Sequence, residues 1–394
     1  MAKNDPIRAI LCQEIFDGER RHSHAALLVS GSSILGIKPQ SQLNGDETLI
    51  DFGDRLLAPG LIDIQVNGGG DTLFNNQPTL EGLIRIAKAH RRFGTTRIMP
   101  TIISDVKTVR QQAAQAVNDA QDARISEILG LHLEGPFFAN RKRGAHKADF
   151  IRDIQPDDVQ ELIQIAKKMR LMSTLAPETT KPGMVRELHQ HNVRVWAGHS
   201  NASYQQTLDA LAEGVCGFTH IFNAMSPLQA REPGVVGAAL EHQDSYCGLI
   251  ADGHHVHPSN IALLLRSKAP GKVVLVSDAM ATIGGSQAAF ELYGEPLSVK
   301  DKKLINAEGK LAGSAIALID AVRVMSENNL VDLDEALRMA SLYPAQSLGV
   351  DNTLGYLKTG YSADFVCLDK HLHVHASGCA GNILINSIIR GKTG

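Results

Sequence analysis

Along the middle of the chain, apolar runs of strand length alternate with segments of helical periodicity. Eight such runs can be read: LIDIQVNG, TTRIMPTI, ILGLHLEGPF, RLMSTLAPE, VRVWAGHS, VCGFTHIFNAM, YCGLIADGHHV and KVVLVSDAM. Each leads into polar or glycine residues. Between them lie stretches whose apolar positions share one helix face, including TLEGLIRIAKAHRRFG, QPDDVQELIQIAKKMR, SYQQTLDALAEG and PSNIALLLRSK. Near-continuous apolar runs mark parallel strands covered on both faces, so the pattern predicts an α/β fold, a (β/α)8 TIM-like barrel. A doubly wound open sheet uses the same units, but gives no reason for every run to end in polar chemistry.

The two chain ends follow a different rhythm. IRAILCQEIF, HAALLVSGSSILGIKP and ETLIDFG near the start, and GYSADFVCLDKHLHVHASGCAGNILINSIIRG at the close, are short β-branched stretches punctuated by Gly, Ser and Asn-Gly. They predict strands and hairpins that pair into one small β-sandwich domain. Residues 1–56 and 359–394 then form that domain, and residues 57–358 form the barrel. A chain of 394 residues has room for both.

Composition removes several function classes. A formal charge of −3 shows no basic excess for phosphate contacts, so nucleic acid is not an expected partner. No apolar run is long enough to cross a bilayer and the start has no signal-peptide pattern, which predicts a cytoplasmic protein without a membrane partner. The five cysteines, at 12, 216, 247, 367 and 379, are scattered without a C-x-x-C spacing and are expected to be reduced thiols.

A barrel of this kind carries its chemistry at the carboxyl ends of the strands. The first polar residues after the runs are Gln65 and Asn67, then Glu134, His199, His220, His255 and Asp278. A single histidine at a strand end is commonly a hydrogen-bonded structural residue. Two imidazoles and a carboxylate on one rim, however, make a zinc ligand set, and a fourth position left to water makes it catalytic. Asp278 on the last strand would face that water as an acid–base group. The first strand has Gln65 and Asn67 where many metal hydrolases have His-x-His. Neutral amides are weak donors, which points to one metal rather than two.

Taken in order, DIQVNG, LHLEGPFF…RGAH, GHSNA, THIFNAMSPL…REPG, IADGHHVHP, LVSDAM and AGS make the chain resemble the N-acetylglucosamine-6-phosphate deacetylases of the amidohydrolase superfamily. The resemblance implies one divalent metal on Glu134, His199 and His220, chiefly Zn2+, with Fe2+, Co2+ or Ni2+ as other occupants. It makes Asp278 the general base and then acid, and gives His146 the task of polarising the acetyl carbonyl. Ala145, His146, Asn223, Ala224, Arg231 and His255 would bind the sugar and its phosphate, while Gln65 and Asn67 would support water or the groups around the metal. The implied reaction, in amino-sugar catabolism and recycling, converts N-acetyl-D-glucosamine 6-phosphate to D-glucosamine 6-phosphate and acetate. The galactosamine isomer is the alternative substrate, and a cyclic-amide hydrolase a more distant one. The implied assembly is a homodimer or higher homo-oligomer.

Overall fold

The computed structural model describes residues 5–301 and 303–386. Eight parallel strands follow one another around the barrel: Leu61–Val66, Thr95–Ile103, Leu131–Glu134, Leu171–Leu175, Val193–Ala197, Gly217–Phe218, Tyr246–Leu249 and Val273–Leu275. The ring closes just beyond the last strand. Val66 bridges Ala279, Asp278 N donates to Gln65 O at 3.0 Å, and Asn67 N donates to Ala279 O at 2.9 Å. Nearly every residue in these strands is buried, because helices cover the outside and side chains fill the inside.

The four expected helices occupy Leu80–Arg91, Pro156–Ala166, Tyr204–Glu213 and Pro258–Ser267. Their starts follow local chemistry. The Thr79 and Ser203 hydroxyls cap orphan amides, and Pro156 and Pro258 open helices at positions that lack no needed N–H. Lys107–Asp122, Met184–Gln190, Gly234–Glu241 and Leu318–Glu327 are further helices of the barrel. No helix among the described residues is long and apolar enough to cross a membrane.

The outer domain is one forked eight-stranded sheet rather than two separate ones. Its long strand Ile7–Phe16 pairs with Arg21–Ser30 on one side. On the other it carries Thr48–Asp51 along its first half and Leu56–Pro59 at its end. Phe365–Leu368, Val374–Cys379 and Asn382–Ile385 continue the sheet, which encloses Ile10, Ile15, Leu27, Phe52, Leu57 and Phe365. Strand Leu56–Pro59 thus runs past the expected boundary at residue 56. Residues 1–4 and 387–394 of the expected domain lie outside the described residues. Within HLHVH, Asp369 accepts from the amides of His371 and His373, making a turn, and the strand begins at Val374.

An element without a counterpart in the expected pattern follows the last barrel strand. Ala289–Leu292, Glu295–Lys300 and Lys303–Ile305 form a three-stranded antiparallel flap. Leu292, Leu297 and Leu304 seat it on the barrel rim against Leu73, Ile103 and Met280.

Candidate active site

His199, His220 and Asp278 have φ of 49°, 36° and 52°. Few residues other than glycine take these left-handed values, although Asp and His tolerate them better than most. Each stands two or three residues beyond its strand, where the turn ends the strand's alternation. Such strain, of order 1–3 kcal/mol per residue, persists only where the surroundings fix it, and it concentrates at functional sites.

Glu134 ends the third strand. Its Oε1 lies 3.0 Å from His220 Nε2 and 3.3 Å from His199 Nε2, and those two nitrogens are 3.0 Å apart. All three side chains are buried. His199 Nδ1 donates to the Lys142 carbonyl at 2.8 Å, so its Nε2 holds a lone pair. Burial would raise the Glu134 carboxyl, but the adjoining His199 and His220 imidazoles outweigh it and leave the group well below its ordinary value. An anionic oxygen, the His199 lone pair and the His220 imidazole therefore converge on one point, a residue set that suits a divalent cation.

Glu134, His146 and His199 also bring ligand atoms within 4.8 Å of one another. Proton placement separates His146 from the others. The backbone N–H of Ser104 donates to its Nδ1 at 3.1 Å, and Ser104 Oγ lies 2.7 Å from the same nitrogen. Burial and then the charge of His199 push its pKa well below the usual imidazole range. A neutral ring that accepts at Nδ1 carries its proton on Nε2. His146 thus offers an N–H to an oxygen, where His199 offers a lone pair to a metal.

Gln65 Nε2 donates to both Glu134 oxygens at 3.1 Å and to Asp278 Oδ1 at 3.2 Å, and Asn67 Nδ2 donates to the same Oδ1 at 2.7 Å. The two amides that replace His-x-His therefore hold the carboxylates in place. Burial, followed by the negative charge of Glu134, pushes the Asp278 carboxyl up to about 7.

These groups open on a cavity of ≈190 Å³, lined also by Ala145, Asn223, Ala224 and His255, and on the flap side by Leu311, Ala312 and Gly313. A larger groove of ≈970 Å³ lies between the barrel and the outer sheet, but it holds none of the candidate residues. Arg231 is not brought to the cavity. It is exposed on a loop that Glu232 ties down by accepting from Tyr204 N at 2.7 Å and Gly234 N at 2.9 Å. Two partners were not foreseen. Asp252, three residues before His255, receives its Nδ1–H at 2.6 Å and the amides of His254 and His255 at 2.8 Å. Ser104, which sets the His146 proton, follows the second strand directly and has no signal in its own neighbourhood of the sequence. For Asp252 the signal was its place inside ADGHH.

Residues 56–393 match the amidohydrolase family. The chain is 38% identical over 363 residues to the N-acetylgalactosamine-6-phosphate deacetylase of Shewanella sp. (strain ANA-3), covering 92% of each chain. It is 30% identical over 370 residues to the N-acetylglucosamine-6-phosphate deacetylase of Haemophilus influenzae, covering 93% of this chain and 94% of the other. Its fold superposes on the crystal structure of N-acetylglucosamine-6-phosphate deacetylase from Pasteurella multocida with a TM-score of 0.93 at 32% identity, over 96% of this chain and 100% of that one.

Proposed function

The chain belongs to the amidohydrolase family, and from that premise we propose that it hydrolyses the acetamide of N-acetyl-D-glucosamine 6-phosphate, giving D-glucosamine 6-phosphate and acetate. The observation that carries this reading is the meeting of Glu134, His199 and His220 with a separate, hydrogen-bonded Asp278 at one cavity. Zn2+ is the ion assigned to the three ligands, with Fe2+, Co2+ and Ni2+ compatible with the same donors. When bound, such an ion polarises the acetyl oxygen and acidifies water.

Asp278 takes the proton of the attacking water and returns it to the amine nitrogen as the C–N bond breaks. With Oδ1 occupied by Gln65 and Asn67, Oδ2 is the oxygen that exchanges the proton. A carboxyl near 7 suits both directions of transfer at neutral pH. His146 directs Nε2–H at the carbonyl oxygen as it gains charge. Asn223, Ala224 and His255 line the remaining wall and hold the sugar. Among the described residues no lysine lines the cavity to serve as a bridging ligand, which favours the linear acetamide over a cyclic amide.

Acetate release from N-acetylglucosamine 6-phosphate, with metal content measured on the same sample, tests the assignment. Asp278→Asn is expected to keep its metal and lose about 10²–10⁴-fold in kcat. Loss of metal in that variant would place Asp278 among the ligands. The higher identity to the Shewanella relative favours a second reading, the galactosamine isomer. Comparing kcat/KM for the two epimers decides between them.

A further inference from the structure

The flap Ala289–Leu292, Glu295–Lys300 and Lys303–Ile305 has no task in the chemistry above, yet it touches the site at both ends. Ser314, beyond its last strand, donates its N–H to the Asp278 carbonyl at 2.9 Å. At the other end, Tyr293 and Gly294 make the tight turn between the first two strands, with φ of 56° and 81°. Positive φ at both central residues is the geometry of a two-residue hairpin, and tyrosine is an unfavourable choice for its first position. What the residue supplies is a hydroxyl. Tyr293 Oη donates to the Ser104 carbonyl, while its ring packs edge-on against Phe150 at 5.6 Å between centroids. Ser104 is the residue whose N–H and Oγ hold Nδ1 of His146.

We propose that Tyr293 is a positioning residue of this active site: by anchoring Ser104 it keeps His146 in the one ring orientation and tautomer that turns Nε2–H toward the cavity. The kinetic consequence rests on the deacetylase reading, whereas the coupling of flap to imidazole does not. Leu292, Leu297 and Leu304 seat the flap without help from a hydroxyl, so a phenylalanine at 293 keeps the ring contact and removes only the bond to Ser104. The flap thus acts on the carbonyl-polarising group through a chain of two residues, in a segment remote in sequence from both.

Tyr293→Phe is expected to lower kcat about tenfold with KM changed less than about twofold, since the lost stabilisation acts where charge develops. Ser104→Ala is expected to lose at least as much, and the double variant no more than Ser104→Ala alone, because both act along one chain. Nitrogen NMR of His146 in the purified protein reads the same coupling without substrate. The wild type should show a single Nε2–H tautomer, and Tyr293→Phe a mixture. Tyr293→Ala, which also removes the ring, reports flap packing through a lowered thermal midpoint. Wild-type kcat in Tyr293→Phe, or a fall in kcat with the His146 signals unchanged, overturns the proposal. If the wild type releases no acetate from either sugar phosphate, the deacetylase reading fails and the tautomer comparison alone decides the role of Tyr293.

Discussion

Asp252 accepts three hydrogen bonds, and the one from His255 Nδ1 commits that imidazole to present Nε2 to the cavity. Burial would raise the Asp252 carboxyl, but the bond and charge of His255 together with the backbone N–H groups of His254 and His255 outweigh it and hold the group at about 2, so it is anionic at any pH of interest. In Asp252→Asn the amide oxygen would keep the two backbone N–H groups, leaving the amide nitrogen to face Nδ1. The ring must then carry its proton on Nε2 instead, the wrong-tautomer effect known from catalytic triads. Since His255 is assigned to the sugar and not to the reacting atoms, KM should rise about tenfold with a smaller change in kcat. Steady-state kinetics checks this. A fall in kcat at unchanged KM would move His255 into the proton-transfer machinery.

The first barrel strand shows how one element serves both closure and chemistry. Asp63 Oδ1 accepts from Gln65 N and Ser277 N at 3.2 Å, stitching the first strand to the end of the last, while Oδ2 is buried without a hydrogen-bond partner among the described residues. Burial pushes this carboxyl up to about 7, against about 3.9 for an Asp in an unfolded chain. The folded state therefore holds the proton longer. Its contribution is full below about pH 4 and disappears as pH rises through 7, up to about 4 kcal/mol. Asp63→Asn keeps the stitch and removes the titration, so its stability should gain on the wild type between pH 5 and pH 8. Urea midpoints at the two pH values measure this, and an equal difference at both would refute it. The barrel strands were legible in the sequence because burial on both faces makes apolar residues predominate in each run, with polar residues such as Asp63, Arg97 and His132 interspersed. The flap was not. Its apolar residues Leu292, Leu297 and Leu304 stand singly among exposed ones, and they acquire meaning only against the barrel rim. The same limit hid Ser104, which acts through hydrogen bonds made after folding, whereas Glu134, His199, His220 and Asp278 were visible as polar ends of apolar runs.

Across the whole molecule, the joint between barrel and outer sheet turns on a buried ion pair that no local pattern announces. Arg97 lies on the second barrel strand and Asp364 immediately before Phe365–Leu368 of the outer sheet. Nε–Oδ2 is 2.5 Å and Nη2–Oδ1 is 2.9 Å, a bidentate match. Asp364 further accepts from Ser362 Oγ at 2.6 Å and Ala380 N at 2.8 Å, so its lone pairs are well used. Removing one partner of such a pair leaves the other charge buried and unpaired. Asp364→Ala should therefore cost about 3–5 kcal/mol, while Arg97→Met with Asp364→Leu should cost less than Asp364→Ala alone. The chain has a single tryptophan, Trp196, buried in the barrel, so its fluorescence follows barrel unfolding and far-UV circular dichroism follows both parts. In the wild type the two urea transitions should coincide. In Asp364→Ala the dichroism transition should begin at lower urea than the fluorescence transition, because the outer sheet loses its anchor while the barrel ring stays closed through Val66 and Ala279. Coincident transitions in Asp364→Ala, or a paired replacement as unstable as Asp364→Ala, would mean that the apolar contacts between the two parts, and not the ion pair, hold them together.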